Sequence, residues 1–270
     1  MIQVKKLTTI NDIQNLVFEQ SRNQKNGRFR SPYFYRGMSN ASYELSTSLM
    51  RNCSDMANIL ETRLLDSFIK YVSIEDPTIN ESIWKAMIIG QHYGLPTRLL
   101  DWSHSALVAL HFANSESDLN YLDKRDSVVW RINAKELMDM LPQKYKDALN
   151  RKKTFIFSVD LLLEVTSSID GYDKDMADRS LVVIEPPSLN QRIVNQYSFF
   201  TILPKGITNL EKFLDENTEH TVKYVIDHSL RWDLRDILDQ LNMNDRIIYP
   251  GKEGIAKWLA RHYFVRKTMQ

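Results

Sequence analysis

The run Gln91–Ala113, QHYGLPTRLLDWSHSALVALHFA, interleaves groups that can do chemistry with residues that belong in a core. His92, Arg98, Asp101 and Ser103 stand among Tyr93, Leu95, Leu99, Leu100 and Trp102. Arg and Asp are costly to bury unless paired, so this mixture points to a polar constellation held rigid against a core. His92 has the side chain best suited to act as a general base. Arg98 and Asp101, three apart, can meet across one helical turn, either as an ion pair locking the loop or as part of a ligand site. A second stretch, Tyr33–Met38 (YFYRGM), puts Arg36 at the end of an aromatic strand, backed by Gly37. Such a guanidinium can clamp a phosphate or carboxylate with two parallel hydrogen bonds, or stack on its aromatic neighbours. A third stretch sets Glu185 at a strand end before Pro186 and Pro187, with Arg192 and Gln196 four apart beyond it. Glu185 can serve as an acid or a hydroxyl acceptor, or pair with Arg192.

These groups need elements to position them. Gly94 permits a turn and Pro96 ends the preceding helix, so the central run reads as helix (Ile83–His92), sharp loop and a short turn anchored by Trp102. A buried helix, Ala106–Ala113, then follows with Ser105 as its N-cap. Upstream, Ile2–Leu7 alternates as a strand, Thr9 caps a helix over Asn11–Asn23, and Asn23–Arg30 is a polar loop. Tyr33–Tyr35 are strand formers. Tyr43–Arg51 reads as an extended segment ending in a turn, and Met56–Tyr71 as a helix. Beyond the central run, Ser127–Ile132, Ser180–Ile184, Phe199–Ile202 and Thr221–Ile226 read as strands, and Ala134–Leu141, Asp227–Leu241 and Ile255–Phe264 as helices. Ile169–Asp178, IDGYDKDMAD, reads as a flexible acidic loop able to act as a lid. With no linker and no repeat, the expectation is one α+β domain, a mixed sheet of short strands with several flanking helices.

Composition narrows the classes. A chain of 270 residues with 43% hydrophobic and 26% charged residues has ample core. The net charge of +1 gives no global nucleic-acid footprint. The local basic run Lys144–Lys153 is either a solvated helix face or a contact for nucleic acid or an acidic partner. One cysteine, Cys53, leaves no internal disulfide and fits a reducing compartment. The histidines never fall into ligand spacing, so no metal is expected. No apolar run approaches a membrane span, and Met1–Thr9 lacks the pattern of a signal peptide, so no membrane association and a cytoplasmic location are expected.

The ordered set FYRGM, QHYGLPTRLLDWS, ALVALHFA, IEPP with NQRIVNQYSFFTI, and IIYPGKEGIAKWL resembles the FRG domain family. That family is named for a Phe-Arg-Gly motif, here Phe34, Arg36 and Gly37 with Tyr35 intervening. The resemblance runs from Ser31 to the C-terminus, with a motif-bearing part over about 31–204 and a helical part over about 205–270. It implies a bacterial or phage-associated protein. A further similarity, to toxin-like ADP-ribosyltransferases, rests on the order of Arg36, the Ser103 strand leading into a helix ending Phe112-Ala113, and the segment Glu185–Gln196. That similarity implies an NAD-consuming toxin or antiviral effector with an ADP-ribosyltransferase-like sheet. Arg36 would hold the phosphates, Ser103 would orient, and Glu185 or Gln196 would lie near the ribose. Tyr93 or Trp102 would stack on nicotinamide. His92, Arg98 and Asp101, which that family does not require, are site candidates from the central run itself. The strand ending Glu185-Pro186-Pro187 departs from that family's Glu-x-Glu pattern. Two other readings stay open: a nucleic-acid binder or nuclease using Arg36, His92, Arg98 and the basic run, and a partner-binding module in which the polar set only holds the loop.

Overall fold

A computed structural model describes residues 1–19, 27–28, 31–116 and 118–265. The end of the first expected helix and most of the polar loop after it lie outside the described residues.

The strands are β1 (Gln3–Leu7), β2 (Tyr33–Met38), β3 (Leu99–Ser103), β4 (Ser127–Asn133), β5 (Phe157–Ser158), β6 (Val182–Glu185), β7 (Ser198–Ile202) and β8 (Val222–Ile226). They form one sheet in the order β1-β8-β4-β2-β3-β7-β6-β5, parallel at its two edges and antiparallel within. This mixed sheet with flanking helices is the α+β architecture that the sequence implies. Side chains alternate across a strand. Phe34 accordingly joins Trp84, Leu100 and Trp130 in one core, whereas Tyr35 joins Ala109, Val129 and Tyr224 in a second core on the other face. Burying each such large side chain is worth about 1.5–3 kcal/mol relative to leaving it exposed.

The sheet has a seam. β2 pairs with β4 over six residues but meets β3 only at Tyr35 and Ser103. β3 pairs with β7 along its whole length. The two halves of the sheet therefore join at one bridge and part on either side of it. The Ala106–Ala113 helix, capped by Ser105, crosses β2 so closely that a Cβ on Gly37 would lie 1.8 Å from the Ala109 carbonyl oxygen. Gly37 is therefore fixed by packing rather than by backbone conformation.

Three expectations change. The run from Leu99 to Ser103 is a strand, not a short turn: Leu99 and Leu100 are both buried, so no alternation marks it. Residues Ile169–Met176 form a helix, and Tyr172 and Asp173 are buried within it, so the segment is not a flexible lid. Arg98 does not pair with Asp101. A further short helix, Asp245–Ile248, precedes the last helix, Lys252–His262. No helix among the described residues is long and apolar enough to cross a membrane.

Candidate functional site

A cavity of about 240 Å³ opens at the seam. Its lining includes Arg36 from β2, Asp101, Trp102 and Ser103 from β3, and Arg192 and Gln196 from the segment before β7. Where β2 leaves β3, the Arg36 guanidinium takes over from the missing ladder: Nη1 donates to the Asp101 main-chain oxygen at 2.8 Å and stands 3.5 Å from its Oδ2. Arg36 Nε is buried with no partner. Burial draws the Arg36 pKa down, only partly opposed by Asp101, and nearby Arg51 adds to the effect. This cation is poorly compensated.

Arg192 is placed by the Gln191–Asn195 helix, which Asn190 caps through Ile193 N–H at 3.0 Å. Its guanidinium lies over the Tyr249 ring at 4.9 Å, and no carboxylate pairs with it among the described residues. Asn195 Nδ2 donates to the Ile247 carbonyl and Gln196 Nε2 to that of Ile248, the latter at 3.3 Å. The C-terminal segment thus braces this wall. Tyr197, at φ 48, takes the left-handed conformation that a bulky residue seldom adopts. The turn brings the Gln196 carbonyl onto the Ser103 hydroxyl at 2.7 Å. Ser103 also accepts from Ser105 N–H at 3.0 Å, so it orients the chain and is not a free nucleophile.

The remaining expected site residues divide. Trp102 is buried, donating from Nε1 to Thr201 Oγ1 at 3.1 Å. Arg98 is sealed between Glu61 and Asp173, with Nε 2.7 Å from Glu61 Oε1 and Nη1 2.5 Å from Asp173 Oδ1. Burial works against its charge, but these two carboxylates outweigh it and hold its pKa above the ordinary arginine value. It is a buried structural cation and is not available to a cofactor. His92 lies beside the site and meets Asn190 through Nε2 at 2.9 Å. Burial, and then Arg192, depress its pKa. Tyr93 is 75% exposed and packs edge-on to His92, outside the cavity. Glu185 is exposed at the end of β6, does not line the cavity and has no ion pair with Arg192. Residue types alone did not single out Gln91. Its Nε2 donates to Asp101 Oδ2 at 3.0 Å, and its place at the head of the polar run was the available signal.

Elsewhere, the basic run forms the Gln143–Lys152 helix, where Lys144 pairs with Asp175, and Arg151 and Lys152 with Glu164. Much of its charge is met within the chain. Asp126, Asp227 and His228 gather within reach of one another, but Lys6 Nζ sits 2.9 Å from Asp227 and already supplies a positive charge.

Comparison with curated proteins and with solved structures finds no match. The family model of the FRG domain matches residues 31–121, a shorter span than the motif-based resemblance. The match includes Arg36, Gln91, Asp101 and Ser103, whereas Arg192 and Gln196 come from beyond it. Residues 31–121 of the chain that builds this two-arginine notch thus match the FRG domain.

Proposed function

We propose that the notch binds a phosphate-bearing small molecule, with NAD as the first candidate, and that the chain acts on it in the manner of an ADP-ribosyltransferase. The carrying observation is that Arg36 and Arg192 line one cavity with Asp101 as its one lining carboxylate. An entering anion would compensate a partly buried, under-bonded guanidinium and one without a carboxylate partner. At about 240 Å³ the cavity is smaller than a typical ligand pocket, so it takes one part of a dinucleotide and the rest lies outside. In this reading Asp101, not Glu185, is the carboxylate beside the ribose, where negative charge stabilises an oxocarbenium-like state. Gln196 and Ser103 serve by fixing the wall, since their polar groups are engaged with the protein. A toxin or antiviral role belongs to the same reading and requires that NAD be consumed.

The test is thermal unfolding with and without millimolar NAD, for the wild type and Arg192→Ala. A ligand that binds only the folded state raises the midpoint by mass action, with about 2.7 kcal/mol of stabilisation at a hundredfold excess over Kd. A rise in the wild type that is absent in Arg192→Ala supports the reading, and nicotinamide release then tests turnover. No rise in the wild type overturns it.

A further inference from the structure

The Asp101 carboxylate is held by one oxygen and open at the other. Oδ2 accepts from Gln91 Nε2 at 3.0 Å and faces Arg36 Nη1 at 3.5 Å. Oδ1 has no hydrogen-bond partner among the described residues, and the side chain is 53% exposed.

A one-way chain of bonds sets this orientation. Leu99 N–H donates to Thr97 Oγ1 at 3.1 Å, which leaves the Thr97 hydroxyl to donate to Gln91 Oε1 at 2.6 Å. The Gln91 amide is thereby turned so that its NH₂ meets Asp101. Thr97 is buried, so the relay starts in the core and ends at the half-exposed Asp101. An ionised carboxylate can only accept, so the complement of Oδ1 is a donor. With Arg36 and Arg192 in the same cavity, a cationic donor is repelled and a neutral hydroxyl is not. The ligand therefore combines an anion for the arginines with a hydroxyl a short distance away.

We propose that the notch recognises a phosphorylated ribose, with Arg36 and Arg192 taking the phosphate and Asp101 Oδ1 accepting from a ribose hydroxyl. This rests on the anion-binding reading above and gives it a substrate class. A cavity too small for a whole dinucleotide suits such a fragment. Gln91 is then a positioning residue that acts through Asp101.

The test is calorimetric titration with ribose 5-phosphate and with methyl phosphate, which carries the anion without a hydroxyl. The wild type is expected to prefer ribose 5-phosphate by about tenfold to a hundredfold, the range for a hydrogen bond to a charged group. Asp101→Ala keeps the main-chain carbonyl that Arg36 holds, and it should bring the two ligands within about threefold of each other. Gln91→Leu should shrink the preference in the same direction. Equal binding of both ligands by the wild type, or an undiminished preference in Asp101→Ala, overturns the ribose assignment while leaving the anion site standing. If neither ligand binds the wild type, the anion reading fails and the ribose assignment with it.

Discussion

Arg36 holds Asp101 by its main-chain oxygen, at 2.8 Å, more closely than by its carboxylate, at 3.5 Å. The two residues therefore differ in what their removal does. Arg36→Ala strips a partner from a carbonyl at the seam and should cost about 1–3 kcal/mol. Asp101→Ala removes only a half-exposed carboxylate and should cost less than about 1 kcal/mol. Urea unfolding of the two variants checks this asymmetry. Equal losses would show that the side-chain ion pair, not the main-chain bond, secures the junction.

Arg98 is the opposite case, a cation whose two partners are both buried. Arg98→Ala leaves the carboxylates of Glu61 and Asp173 without their common partner, and a loss of about 3–5 kcal/mol is expected. Arg98→Lys should recover only part of it, because an ammonium cannot fork to two carboxylates as the guanidinium does. Denaturation midpoints of the two variants decide the matter. A mild effect of Arg98→Ala would mean that water enters the site.

Gly37 and Gly94 separate two reasons for glycine in the recognisable motifs. At Gly37 an added Cβ meets the backbone of the Ala106–Ala113 helix, which cannot give way without moving against β2. Gly37→Ala should cost at least about 1–3 kcal/mol, the usual overpacking penalty. Gly94 sits at φ +88 with open space around it. Gly94→Ala should cost about 1 kcal/mol from backbone strain alone. Far-ultraviolet circular dichroism during thermal melting compares them, and a larger loss at Gly94 would contradict the packing argument.

The sequence was most legible where local chemistry decides structure. Thr9 and Ser105 cap the helices expected of them, and Arg36, Ser103 and Gln196 do meet in one cavity. It was least legible where distance along the chain hides the partner. Arg98 looks poised for Asp101 three residues on, yet its partners lie 37 and 75 residues away. β3 escaped recognition because a strand buried between two layers shows no period of two. The segment from Ile169 looked like a lid because its charges dominate its composition, whereas Tyr172 and Asp173 tie it to the core. Arg192 was visible as Gln196's neighbour on one helix face. Its place in the site depends on the seam between β2 and β3, which no local pattern encodes.

His111, fully buried in the Ala106–Ala113 helix, makes stability depend on pH. Its Nδ1 accepts from Arg235 Nη1 at 3.1 Å, which leaves the proton on Nε2, 3.6 Å from Asp245 Oδ1. Burial first, and then Arg235, push its pKa down to about 4, against a weaker pull from Asp245. The folded state thus stays neutral at this ring while the unfolded chain takes up a proton near the ordinary histidine value. Between those two pH values the unfolded state binds more protons, so stability rises with pH and is lost as pH falls. The full loss from this group is about 3 kcal/mol, accumulated from about pH 6.5 down to about pH 4. His111→Gln keeps an acceptor for Arg235 and a donor toward Asp245 but does not titrate. Urea unfolding at neutral pH and near pH 4.5 should show a markedly smaller decline for His111→Gln than for the wild type. Parallel declines would mean that carboxylates, not His111, govern the acid limb.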